Sequence, residues 1–148
     1  ELSGGQQRKA ALAGVLAMDP QLLVLDEPAA GLDPRTRQEF LALVKELHAS
    51  GLTVVMASHS MEDLARLCDR VVVLDKGRIV LAGAPQTVFE DPERLRRIGL
   101  AQPAPLAMAQ RLRAQGFVLP SRLYTVDSLA AALAPQLAAD AAAVPAKD

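Results

Sequence analysis

Apolar and polar positions change rhythm along the chain, and each change predicts an element. In residues 3–18, Ser3 precedes Gln6 by three positions, apolar Ala10, Leu12, Ala13 and Leu16 follow, and Asp19-Pro20 ends the run, which predicts a helix. QLLVLDEP is a continuous aliphatic run of strand length stopped by Pro28, the pattern of a strand buried on both faces of a parallel sheet. Asp33-Pro34 supplies an N-cap and a first-turn proline for a helix whose Phe40, Leu41, Val44 and Leu47 recur at helical spacing as far as Gly51. LTVVMAS predicts a second buried strand, and Ser60 with Asp63 opens another helix.

This β-α-β-α alternation predicts an α/β fold with a parallel sheet. RVVVLDKGRIVLAG then reads as two short strands around a Lys76-Gly77 turn, an antiparallel hairpin added to that sheet. From Pro85 onward PQTVFEDPERLRRIGL, PAPLAMAQRLRAQG and TVDSLAAALAP predict peripheral helices separated by prolines and glycines. The division expected is residues 1–90 as an α/β domain, 91–135 as a helical extension and 136–148 as an alanine-dominated tail with little bulk to bury, expected to fray.

Composition narrows the function classes. Of 148 residues, 51% are apolar and 22% charged, the balance of a globular chain rather than a disordered one. The formal net charge of −1 argues against a dedicated nucleic-acid binder. A single cysteine, Cys68, cannot form an internal disulfide and suits a reducing compartment. The longest clean apolar run, Ala10 to Met18, falls well short of the roughly 20 residues that a membrane-spanning helix needs. A chain that opens on Glu1 reads as the downstream piece of a longer protein.

Ser3, Gly4 and Gly5 open the first helix, where exposed backbone N–H groups and the helix dipole favour an anion and absent side chains let it approach. In isolation the same residues are an ordinary S-x-x-Q capping box. Asp26 and Glu27 end the first strand at the edge where open parallel sheets bind ligands. Side chains of successive strand residues diverge, so the two acids suit different tasks: one holds a hydrated Mg²⁺ beside phosphates, the next polarises water. Alone, such a pair is a solvated strand end. His59 leaves the second strand at the same edge, where an imidazole can bond a terminal phosphate or its own loop. His48 sits near a helix C-terminus and reads as a solvated ring favourable to the dipole.

The motifs LSGGQ at 2–6, LLVLDE at 22–27, GLD at 31–33 and SH at 58–59, in this order and at these separations, resemble the ATP-binding-cassette (ABC) ATPase family. The resemblance implies the C-terminal half of a P-loop ABC-type nucleotide-binding domain over residues 1–90. It also implies a signature motif at Leu2, Ser3, Gly4, Gly5 and Gln6, a magnesium-side acid at Asp26, a catalytic carboxylate at Glu27, a D-loop ending at Asp33 and a switch histidine at His59. AGVLAMDPQLLVLDEPAAGLDP, SHSMEDLARLCDRVVVLDKGRIVLAGAPQTVF and the IGLAQPAPLAMAQRLRAQGFVLP segment resemble the ATPase subunits of energy-coupling-factor importers for vitamins or transition-metal ions such as cobalt. Ala29 stands where such proteins often carry threonine.

That family implies ATP and Mg²⁺ as ligands, a second ABC ATPase subunit, a transmembrane coupling subunit and a substrate-binding membrane subunit as partners, no nucleic acid, and a peripheral place on the cytoplasmic face of the membrane. No G-x-x-x-x-G-K-[ST] loop occurs in these residues, nor the family's glutamine loop, so the resemblance implies a signature helix closing over nucleotide held by a partner chain. The 148 residues by themselves are expected to be catalytically inactive and to expose apolar sheet surface. The other readings are a soluble ABC ATPase of DNA repair or translation, and a non-catalytic interaction module.

Overall fold

Residues 3–143 are described by the computed structural model. Its elements are α1 (Gly4–Leu16), β1 (Leu22–Asp26), α2 (Pro34–Ala49), β2 (Thr53–Ala57), α3 (Met61–Leu67), β3 (Val71–Asp75), β4 (Arg78–Gly83), α4 (Pro85–Phe89), α5 (Pro92–Arg97), α6 (Ala104–Ala114) and α7 (Val126–Ala143). The fold is mixed α/β, with parallel and antiparallel strand pairs. The chain divides into two compact units, Glu1–His59 and Ser60–Asp148.

In the first unit β1 and β2 run parallel, with Leu22 opposite Thr53 and Asp26 opposite Ala57. Leu23 packs with Leu12 of α1 and with Phe40 and Val44 of α2, and Leu25 and Val54 border that core. Truncating such a buried leucine costs about 2–5 kcal/mol. The opposite face carries Leu22, Val24 and Val55, which are 52%, 66% and 52% exposed. This corrects the expectation of burial on both faces: α1 and α2 both contribute to the core on the Leu23 side, so the pair is covered on one side only.

In the second unit β3 and β4 pair antiparallel, from Val71 opposite Gly83 to Asp75 opposite Arg78. Lys76 and Gly77 hold φ of 49° and 76°, the doubly left-handed turn that matches strand twist in a two-residue hairpin. The hairpin forms a sheet of its own, whereas the sequence predicts an addition to the parallel pair. Its inward Val71, Val73 and Leu81 share a core with Ala65, Val88, Phe89, Leu95, Leu106 and Tyr124. That shared core is why the compact units divide after His59 and the hairpin groups with the helices that follow it. A smaller cluster joins Ala109, Leu119, Leu123 and Leu129 under α6 and α7.

Cys68, at the end of α3, is half-buried, and burial pushes its thiol above the ordinary range. Helix α7 continues through Pro135 to Ala143, so helix extends into the stretch expected to fray; residues 144–148 of that stretch lie outside the described residues. Alanine, the strongest helix former, dominates the turns after the proline. Among the described residues no helix is long and apolar enough to cross a membrane.

Candidate functional site

The register of the parallel pair builds the site. Because Asp26 lies opposite Ala57, the two strands end level, and Glu27 and His59 emerge at one edge. The Glu27 amide donates to the Ala57 carbonyl at 2.9 Å, extending the ladder one residue past the strand. Glu27 Oε1 then accepts the backbone N–H of His59 at 2.8 Å and lies 2.8 Å from His59 Nδ1. A carboxylate oxygen accepts, so the proton between Oε1 and the ring belongs to Nδ1, and Nε2 is the nitrogen left for a further contact.

Glu27 adopts φ of 44°, a left-handed conformation unusual for a residue with a long side chain. Strain of this kind costs on the order of 1–3 kcal/mol and persists where neighbouring contacts over-determine it. Those contacts are the bond to the Ala57 carbonyl, the two from the His59 amide and ring, and the turn closed by the Ala30 amide on the Glu27 carbonyl at 3.1 Å. Asp26 lies one residue earlier, exposed at the end of β1.

Among the described residues no three acids, histidines or cysteines cluster as a metal cage. Magnesium does not need one, since it is commonly held by one or two carboxylates completed by water and substrate phosphates. Exposed Asp26 at the sheet edge fits that donor set.

The signature residues are disposed unequally. Ser3 Oγ accepts the Gln6 amide at 3.3 Å and Gln6 Oε1 accepts the Ser3 amide at 2.8 Å, a complete capping box. Helix geometry leaves the Gly4 and Gly5 amides without intrahelical partners. A side chain at Gly4 would meet nothing within 4 Å, whereas a Cβ at Gly5 would collide with Thr36 Cγ2 of α2. The glycine at 5 therefore serves packing. Leu2 lies outside the described residues.

Asp33 caps α2, Oδ1 accepting the Arg35 and Thr36 amides at 3.1 Å each. The Thr36 hydroxyl, with those amides, holds its carboxyl below the ordinary range. Ala29 is buried, so threonine there would bring a hydroxyl into a place with little solvent. His48 stays apart, its Nδ1 3.2 Å from the Leu52 carbonyl in the last turn of α2.

Two contacts escape a reading of the sequence. Arg8 Nη1 donates to the Pro28 carbonyl at 2.6 Å. Lys9 pairs with Glu39 at 2.8 Å, and Glu39 also receives Arg35 at 3.2 Å; the lysine above all, then the arginine, lowers the Glu39 pKa. Each partner lies at least 20 residues from its α1 cation, so no local pattern marks it. The left-handed Glu27 has a partial signal, since the following proline disfavours right-handed helical backbone there.

Comparison with known proteins finds similar chains among transporter ATPases. The chain is 47% identical over 134 residues to the energy-coupling factor transporter ATP-binding protein EcfA2 of Clostridium perfringens, covering 90% of this chain and 47% of that protein. To EcfA2 of Symbiobacterium thermophilum it is 49% identical over 137 residues, covering 93% of this chain and 48% of the relative. The solved structure of cbiO1 from Clostridium perfringens, part of the ABC transporter complex cbiONQ, matches with a TM-score of 0.58 and 38% identity over 76% of this chain and 44% of its own.

The chain belongs to the ABC ATPase family.

A second cassette structure, MJ1267 in its ADP conformation, an ATP-binding cassette of an ABC transporter, matches with a TM-score of 0.59 and 31% identity over 67% of this chain and 41% of its own. A family profile described as "AAA domain, putative AbiEii toxin, Type IV TA system" matches residues 1–64. The chain spans about half the length of the curated cassette relatives it matches.

Proposed function

We propose that the full-length protein hydrolyses ATP within a head-to-tail pair of cassettes and powers an energy-coupling-factor type importer of a vitamin or transition-metal ion. The observation that carries this reading is the joint hold of Glu27 Oε1 by the His59 amide and ring, at the edge where the parallel strands end. It supports a carboxylate fixed in place to orient and deprotonate an attacking water, with His59 Nε2 turned to the terminal phosphate. Asp26 would hold Mg²⁺, which neutralises phosphate charge when bound.

Ser3, Gly4, Gly5 and Gln6 would face nucleotide held by the partner subunit, and Asp33 would complete the D-loop. In that assembly residues 1–90 form part of the ATPase domain and 91–135 a helical extension. The ATPase would lie peripherally on the cytoplasmic face of the membrane, with a second ATPase subunit, a transmembrane coupling subunit and a substrate-binding membrane subunit as partners. The relatives' names, energy-coupling factor transporter ATP-binding protein, support an importer over a soluble repair or translation ATPase.

The test is Glu27→Gln in the full-length protein. ATP should bind and stay, with turnover down by about 10²–10⁴, the scale of a lost general base. Phosphate release at the wild-type rate would reject the assignment. Copurification with integral membrane subunits tests the transporter role separately.

A further inference from the structure

Helix α1 is fastened to the rest of its unit at several points, and they differ in where they lead. Gly5 abuts Thr36 and Lys9 pairs with Glu39, both on α2. Arg8 instead reaches the turn that carries Glu27, its Nη1 donating to the Pro28 carbonyl at 2.6 Å in a partly buried position. Pro28 itself is buried and directly follows the left-handed Glu27. The proline ring locks its own φ near −65°, so the carbonyl that Arg8 holds and the peptide leaving Glu27 are joined by a stiff residue. A displacement of Arg8 is therefore felt at Glu27 more directly than it would be through a flexible loop.

The same helix begins at Gly4, capped by Ser3, only about 6 Å of helical rise before Arg8. Resting on the reading above, in which that N-terminus meets the partner's nucleotide, we propose that Arg8 is a positioning residue: it transmits the seating of α1 on one nucleotide to the strained Glu27 turn serving the other. Arg8 touches no reacting atom. It acts through the Pro28 carbonyl, with a guanidinium that offers several donors in a fixed plane.

The experiment compares Arg8→Met and Arg8→Lys in the full-length, assembled ATPase pair. Methionine fills much of the stem's volume and removes the donors; lysine restores one charged donor. Arg8→Met is expected to lower kcat about 5- to 20-fold, the lower end of typical coupling between sites, with KM for ATP within about twofold and the melting temperature retained. Arg8→Lys should recover a substantial part of kcat. Wild-type kcat in Arg8→Met overturns the proposal, as does a loss that tracks a fall in melting temperature and is not relieved by lysine. Glu27→Gln, run alongside, separates the two levels: if it still traps ATP, a failure belongs to Arg8 alone, and if it turns over normally, the underlying assignment falls and the Arg8 proposal with it.

Discussion

Glu27 and His59 meet through a single oxygen, Oε1 of the carboxylate lying 2.8 Å from both the backbone nitrogen and Nδ1 of the histidine. The backbone half of this contact survives any substitution of the ring. His59→Ala should therefore leave Glu27 seated and the fold intact, while kcat falls by about 10²–10³, as when one donor to transition-state charge is removed. Steady-state ATPase rates and thermal melts on the full-length protein check this. Unchanged kcat would mean that the ring has no part in turnover.

The two signature glycines should separate in mutagenesis. Gly5→Ala drives a methyl into Thr36 Cγ2 and is expected to destabilise by about 1–3 kcal/mol, as overpacking does. Thr36→Ser removes the offending methyl and should restore most of that loss. Gly4→Ala meets nothing within 4 Å, so its stability should match or exceed wild type, and lost activity there reports on nucleotide contact. Denaturant midpoints of the single and double variants decide the matter; additive destabilisation in Gly5→Ala/Thr36→Ser would refute the packing account.

The uncovered face of the parallel pair predicts poor behaviour of the 148 residues by themselves. Val24 and Val55 are 66% and 52% exposed on adjacent strands and lie opposite one another in the register. A polypeptide of this length should self-associate, and replacing both valines by threonine should reduce light scattering without loss of helical signal. A monodisperse wild-type chain at high concentration would contradict this.

Asp33 gives a pH prediction. Its carboxyl is held below the ordinary value of 3.8, first by the Thr36 hydroxyl and then by backbone amides, so the folded pKa is depressed relative to the unfolded one. A depressed carboxylate contributes stability that is fully present above its unfolded pKa and is lost as pH falls through the folded value. The cap of α2 should thus hold throughout the neutral range and weaken only below about pH 3.8. The Thr36 amide resonance followed against pH should titrate below that point, and Asp33→Asn should abolish the transition; a midpoint above 4 would be inconsistent with the cap.

Much of this arrangement is legible in the sequence. The strand ends just ahead of Pro28 and Ser58, the Asp33 and Ser60 caps and the Lys76-Gly77 turn are local events, each written in residues a few positions apart, and they appear within a residue or two of where the pattern puts them. The juxtaposition of Glu27 and His59 could be anticipated because parallel strands of equal reach end at one edge. Two-sided burial does not follow from the pattern because an unbroken aliphatic run records what a strand can bury, while covering it takes a layer on each side, and Val24 faces none here. The hairpin's separation from the parallel pair depends on which core claims Val71, Val73 and Leu81, and that choice is made by Phe89 and Leu95 further along the chain. Arg8 on Pro28 is likewise a long-range choice with no sequence period.

The Ser3 hydroxyl oxygen receives the Gln6 amide. Receiving a hydrogen bond uses a lone pair and leaves the hydroxyl's own hydrogen uncommitted to that contact. Ending a helix neatly and donating to an anion are then not rival occupations for this side chain: the bond it receives occupies a lone pair, and its proton is still there to give.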